Sequence, residues 1–165
     1  MNKLEAVQTQ ISQLKRGEHF ARREEITWLA DILWDGEVIE KIYEASDSDG
    51  FSRGMVALTD QRLITILRVY LTCESGLSIR KKCMIEINEF SYREIFDVYP
   101  EGFGKITVES TRNNRNFSFI LRDRTQDRNL CDYLDVKLLQ GQGEVKTRYS
   151  FPSPPQPGRE KSDHP

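Results

Sequence analysis

GMVALTDQRLITIL occupies residues 54–67. Two apolar runs, Gly54 to Leu58 and Leu63 to Val69, meet at a polar corner made of Thr59, Asp60, Gln61 and Arg62. Runs this short, rich in Val, Ile and Leu and separated by turn-forming residues, read as two strands joined by a tight connection. Leu58 and Leu63 are expected to face the core at the strand ends. Thr59 and Asp60 are expected to bond backbone groups within the corner. Arg62 is expected to pair with Asp60 or with a neighbouring carboxylate. A ligand site built on Asp60 and Arg62 is the weaker alternative.

Working outward, the same grammar repeats. Val38 to Ala45 reads as a strand, and Ser46-Asp47-Ser48-Asp49-Gly50 as a turn of the Asp-Gly kind that joins hairpins. Leu71 to Ser78, with its Gly76, reads as a loop. Cys83 to Phe90 reads as a strand, and Ile95 to Val98 as a short strand stopped by Pro100-Glu101-Gly102. Lys105 to Ser110 and Asn116 to Leu121 flank a polar turn at Thr111-Arg112-Asn113-Asn114-Arg115. Seven short strands with short connections predict an antiparallel sandwich or barrel. One amphipathic helix follows. Asp123 or Thr125 can cap it, Leu130, Tyr133, Leu134 and Leu138 share a face, and Gly141 can end it.

Two helices are expected ahead of the strands. Leu4, Val7, Ile11 and Leu14 form a narrow apolar stripe closed by Gly17. That stripe is a candidate self-association surface, with packing inside its own chain as the alternative. A second helix is expected from Ala21 to Trp34, ended by Asp35-Gly36.

The expected organisation is therefore a helical extension over 1–35, a β-rich domain over 36–140 and a tail over 141–165. Five of the six prolines fall in the tail, so it is expected to be disordered. Pro154 and Pro157 in it have PxxP spacing, which an SH3-like partner could read.

These stretches carry a resemblance. Gly36-Glu37-Val38-Ile39, then Gly54-Met55-Val56-Ala57-Leu58-Thr59-Asp60-Gln61-Arg62-Leu63, then Ile95-Phe96-Asp97-Val98 resemble the motifs of the bacterial pleckstrin-homology-like (PH-like) domains. The likeness covers about residues 36–140. It implies an α+β, mainly β fold: a seven-stranded antiparallel barrel or sandwich with a C-terminal capping helix, here preceded by two N-terminal helices. It implies a fold more than an activity.

Composition narrows the function. The chain has 165 residues, 30% of them charged, with a net charge of -2, which advertises no nucleic-acid partner. Three cysteines, Cys73, Cys83 and Cys131, form no CxxC pair and suit a reducing compartment. No signal peptide and no apolar run long enough for a membrane span is read, so a cytoplasmic location is expected. His19 and His164 lie far apart in the sequence, which leaves no zinc set and no nucleophile–base pair. Asp47-Ser48-Asp49-Gly50 departs from a calcium loop, and Gly102-Phe103-Gly104-Lys105 opens a strand where a phosphate loop opens a helix. No enzyme, cofactor or metal is therefore expected.

Two function classes remain. The first is an interaction module that binds a protein segment or another copy of itself. The second is a peripheral membrane module that touches anionic lipid through Arg80, Lys81 and Lys82. The expected first hairpin loop, Ala45 to Arg53, holds two acids and one base, and so argues against the usual PH-type headgroup pocket.

Overall fold

The computed structural model describes residues 2–50, 52–75, 78–111 and 116–141. Most of the expected tail, and the tip of the turn after Thr111, lie outside the described residues. Two helices come first, α1 (Lys3–Ser12) and α2 (Glu25–Ile32). Seven strands follow: β1 (Ile39–Asp47), β2 (Arg53–Thr59), β3 (Arg62–Ser75), β4 (Ser78–Ser91), β5 (Ile95–Gly102), β6 (Lys105–Ser110) and β7 (Asn116–Leu121). A short 3-10 turn, Arg124–Gln126, leads into α3 (Asp127–Gly141).

All strands join one antiparallel sheet in the order β4-β3-β2-β1-β7-β6-β5. Pairing of β1 with β7 lets the sheet fold over, so that its two halves enclose one core. Val56 and Leu58 of β2, Leu63 and Leu67 of β3, Val108 of β6 and Phe119 of β7 meet there, and Leu130, Leu134 and Leu138 of α3 close it. Seven antiparallel strands followed by one helix is the element order that the PH-like resemblance implies.

A second apolar cluster lies on the outer face of β1 to β3. Met55, Ala57, Ile64 and Ile66 point away from the first core and meet Val7, Ile11, Ile26 and Leu29 of the two helices. The unbroken run Met55-Val56-Ala57-Leu58 thus serves two cores, one on each side of the strand. Gly54 belongs to the same tight packing. A Cβ there would stand 1.9 Å from the Ile66 carbonyl oxygen.

Several expectations need correction. The first helix ends at Ser12, before Gly17. Gly17 is required instead by close approach, since a Cβ would stand 1.8 Å from the Ile11 oxygen. The second helix starts at Glu25, four residues later than its apolar pattern suggests. Of the stretch read as a loop, Leu71 to Ser78, residues 71–75 and Ser78 are strand, and 76–77 lie outside the described residues: β3 and β4 pair from Arg62↔Ser91 to Ser75↔Ser78. Pro100 does not stop β5, because β5 is an edge strand, where a missing N–H costs nothing if it faces away from the neighbour.

Candidate functional site

The Thr59–Arg62 corner is a clasp. The Thr59 hydroxyl accepts from the Gln61 and Arg62 amides at 3.1 and 2.9 Å. It donates to Glu37 Oε1 at 2.7 Å. Asp60 holds the start of β1: its carboxylate accepts from the Val38 amide at 2.9 Å, and its own amide donates to the Val38 carbonyl at 2.9 Å.

Arg62 does not pair with Asp60. Its Nε and Nη2 grip the two oxygens of Glu37, each at 2.8 Å, a bidentate fork on a carboxylate. Nη2 also donates to the Ile32 carbonyl at the end of α2, and Nη1 meets Glu89 of β4. The guanidinium lies 4.0 Å from the centre of the Trp34 ring. Glu37 in turn accepts from the Trp34 amide at 2.8 Å. Both charged residues are buried.

Burial works to raise the Glu37 carboxyl. The Arg62 guanidinium, the Trp34 amide and the Thr59 hydroxyl outweigh it and hold the group below its ordinary value. Arg62 is pushed up in turn, chiefly by its hydrogen bonds to Glu37. The Gly-Glu and Thr-Asp-Gln-Arg stretches are therefore the two halves of one lock between the helices and the sheet. The Arg62 guanidinium and the Glu37 carboxylate spend their hydrogen bonds on this lock.

A second lock stands at the other end of α2. Arg68 of β3 reaches Glu24 at 2.6 Å and Glu25 at 3.2 Å, and Arg23 pairs with Glu25 at 3.0 Å. Glu25 is buried, and its carboxyl too is held below the ordinary value: burial raises it, and Arg23 with Arg68 outweighs that.

The stripe of α1 lies against its own chain. Val7 and Ile11 are buried in the outer cluster, and Leu4 and Leu14 pack partly against it. Asn2 and Glu5 form a capping box at the start of this helix, a signal the apolar periodicity did not include.

Arg80, Lys81 and Lys82 fall on β4, at register positions opposite Cys73, Thr72 and Leu71. Pairing of β2 with β3 stops at Arg53↔Arg68. From Val69 outward, β3 and β4 therefore pair only with each other, as a two-stranded arm. Seven residues of extended strand reach roughly 23 Å.

A cleft of about 760 Å³ lies between β1, the α1–α2 connection and α3, lined among others by His19, Phe20, Lys41, Tyr43 and Asp132. Three of its carboxylates are already paired. Asp123 meets Arg16 at 2.9 Å, Glu44 meets Arg122 at 2.7 Å, and Glu40 meets Lys137 at 2.7 Å. The Thr125 hydroxyl and amide draw the Asp123 carboxyl down to about 2. Among the described residues no group of three His, Cys, Asp or Glu could hold a metal, and no helix is long and apolar enough to cross a membrane.

The β5–α3 side differs. Ile95 and Val98 turn inward against Leu130 and Leu134, whereas Phe96 is 69% exposed, and Val136 and Leu139 of α3 are bare as well. Among the described residues the outer edge of β5 has no strand neighbour. Asp135, Asp127, Asp132 and Asp97 all act on the Cys131 thiol. They add to burial in pushing the Cys131 thiol up to about 12. Register shifts between Ile95 and Asp97 and between Pro100 and Gly102 leave Asp97–Pro100 as the regular part of the edge. Sequence reasoning passed over this face. Its signal was an unalternated Phe96-Asp97 pair and two apolar residues off the core face of α3.

No family model matches the chain, and no curated protein matches it. Among solved structures it is similar to the C-terminal domain of an unknown protein from Leishmania infantum, at 17% identity and a TM-score of 0.44, over 64% of this chain and 87% of that one. It is similar to the complex of the FERM and C-terminal domains of Drosophila Merlin, at 15% identity and a TM-score of 0.45, over 82% of this chain and 39% of that one. It is also similar to the DH/PH domains of p115-RhoGEF, at 8% identity and a TM-score of 0.46, over 82% of this chain and 40% of that one. The chain thus spans well under half of the Merlin and p115-RhoGEF chains. Likeness this weak adds no argument, and the strand order alone carries the fold.

Proposed function

We propose that this chain is a non-enzymatic interaction module that receives a protein segment along β5 and α3. One observation carries the reading: an edge strand with an open side bears a bare aromatic residue, Phe96, beside a helix that bears Val136 and Leu139. An open strand edge offers backbone groups to an extended segment, and apolar side chains nearby supply the specificity. The two register shifts and Pro100 restrict the open stretch to a few residues, which suits a short segment and discourages sheet-to-sheet aggregation. The acids around Cys131 select a basic segment.

Contact with anionic lipid is the rival reading. What favours it is the run of three consecutive cations Arg80, Lys81 and Lys82 on β4.

The test is selection of displayed random peptides on the whole chain. Basic, apolar-containing peptides are expected to enrich, to slow amide exchange along Asp97–Tyr99, and to lose binding to Phe96→Asp. No enrichment above a scrambled-surface control would end the reading. Flotation with phosphatidylserine vesicles at low and high salt tests the rival.

A further inference from the structure

We propose that the cleft between β1, the α1–α2 connection and α3 receives a short acidic segment of a partner protein, which adds to β1 as an extra strand. The site is separate from the β5–α3 face and does not rest on the reading given for that face. Three observations converge on it.

The first is an open strand edge. β1 pairs with β7 only at Ala45, Ser46 and Asp47. One further bond, from the Arg122 amide to the Glu44 carbonyl at 2.9 Å, ends the contact before the chain turns towards α3. Backbone groups alternate sides along an antiparallel strand. The amide and carbonyl of Ile42 therefore lie on the side of the Glu44 carbonyl, away from β2. Among the described residues no strand pairs with them there. Glu40, Lys41, Ile42, Tyr43 and Glu44 all line the cleft. Successive side chains point to opposite faces, so a cavity that touches five in a row runs along the edge of the strand.

The second is size. Five extended residues reach roughly 17 Å. The cleft, at about 760 Å³, falls within the usual range of ligand sites, about 300–1,000 Å³. A segment of a few extended residues fits both.

The third is charge. Asp123, Glu44 and Glu40 of the lining are held by Arg16, Arg122 and Lys137. Lys41 is half-buried, its ammonium lies 5.0 Å from the centre of the Tyr133 ring, and no described acid forms an ion pair with it. Lys137 lies 5.5 Å from the centre of the same ring, but has Glu40 at 2.7 Å. Lys15 and His19 at the rim also lack an ion pair among the described residues, against one such acid, Asp132. A half-buried ammonium without an acid favours an incoming carboxylate.

Other occupants fit less well. A flat lipid surface does not reach a strand edge inside a cleft. A small free anion can meet Lys41 but leaves the Ile42 amide and carbonyl unpaired, whereas an acidic strand serves both. A basic segment would meet Lys15 and Lys41 as like charges.

The experiment is selection of displayed random peptides on the whole chain, then titration with a synthetic copy of an enriched acidic peptide. Acidic peptides are expected to enrich, to bind less tightly in high salt and to slow amide exchange at Ile42. Lys41→Glu is expected to weaken binding on the order of tenfold or more, and Lys41→Gln by less. Phe96→Asp is expected to leave it unchanged. Thermal melting confirms that each variant is folded, and Lys15→Glu at the exposed rim tests the same charge if a Lys41 variant unfolds. No enrichment of acidic peptides over the unselected library overturns the proposal. So does unchanged exchange at Ile42, or full affinity in Lys41→Glu. Loss of the acidic peptide to Phe96→Asp would put it on the β5–α3 face and sink the β1 site. Displacement of the peptide by free acetate at equal concentration would make the cleft a small-anion site, and strand addition would be wrong.

Discussion

β2 and β6 are both interior strands of one sheet, each with a neighbour on either side, yet their sequences look unalike. β2 reads Met55-Val56-Ala57-Leu58 without a break, and every one of these residues is fully buried. β6 alternates: Ile106 and Val108 enter the core, while Lys105, Thr107 and Glu109 face outward. The cause is what lies outside. Helices α1 and α2 cover β2, so both of its faces are apolar. Among the described residues no helix covers the outer face of β6, and Thr107 there hydrogen-bonds Glu101 at 2.6 Å and Ser118 at 2.8 Å. An unbroken apolar run thus marks the half of the sheet that something covers.

The largest expected effect tests this directly. Met55→Asp, on the outer face of β2, should prevent folding as fully as Leu134→Asp in the inner core, because each buries an unpaired charge. Thr107→Ala, at the matching outer place on β6, should cost only about 1–2 kcal/mol, the worth of two hydrogen bonds. Urea unfolding of the three variants gives the comparison. A folded Met55→Asp of near-native stability would mean that the helices do not cover β2.

Next in size is the lock that holds the cover on. Arg62→Met leaves the buried Glu37 without its cation, and Glu37→Leu leaves Arg62 with only the part-exposed Glu89 as a charged partner. Each should cost about 3–5 kcal/mol, and the double variant less than either, because it leaves no unpaired charge. Denaturant midpoints across this cycle measure the coupling. Additive losses would show that the two residues act separately.

Much of this was legible in the sequence, and the misses have one physical origin. Strands that bury a face advertise it: β2, β6, β7 and the Leu130–Leu138 face of α3 follow from apolar spacing. Thr72-Cys73-Glu74-Ser75 shows no apolar period, so this end of β3 reads as loop in the sequence. Gly17 looks like a helix stop, and only the approach of the Ile11 backbone gives its reason. The corner was expected to be structural, with Asp60 or a neighbouring carboxylate as the partner of Arg62. That the carboxylate is Glu37, 25 residues away, depends on β1 and β2 being neighbours, which no local pattern states. The bare Phe96 face was overlooked because a single exposed aromatic residue has no periodicity to detect.

A smaller effect comes from pH. The Glu37 carboxyl is held below its ordinary value of 4.5 in the folded chain. A lowered folded value means stability that is fully present above the unfolded value and is lost as pH falls through the folded one. Acidification below about 4.5 should therefore destabilise the native chain, and Glu37→Gln should flatten that part of the pH dependence. Glu25 is lowered as well and contributes to the same window, so the flattening is partial. An unchanged acid limb in Glu37→Gln would remove the lock from the acid response. β6 offers the control: Thr107→Ala removes a hydroxyl and no ion pair, and should keep the native acid limb.

The smallest effect concerns two cysteines, one under cover and one outside it. Cys131 is buried beneath α3, where burial and the surrounding aspartates push its thiol up to about 12. Cys83 is exposed at the base of the arm, opposite Tyr70. The thiolate is the reacting species, so exposure favours Cys83, while burial and the raised thiol protect Cys131. Brief treatment of the folded chain with iodoacetamide, read by mass spectrometry, should label Cys83 and leave Cys131 intact until the chain unfolds. The melting temperature should barely move, because Cys83 supports no core.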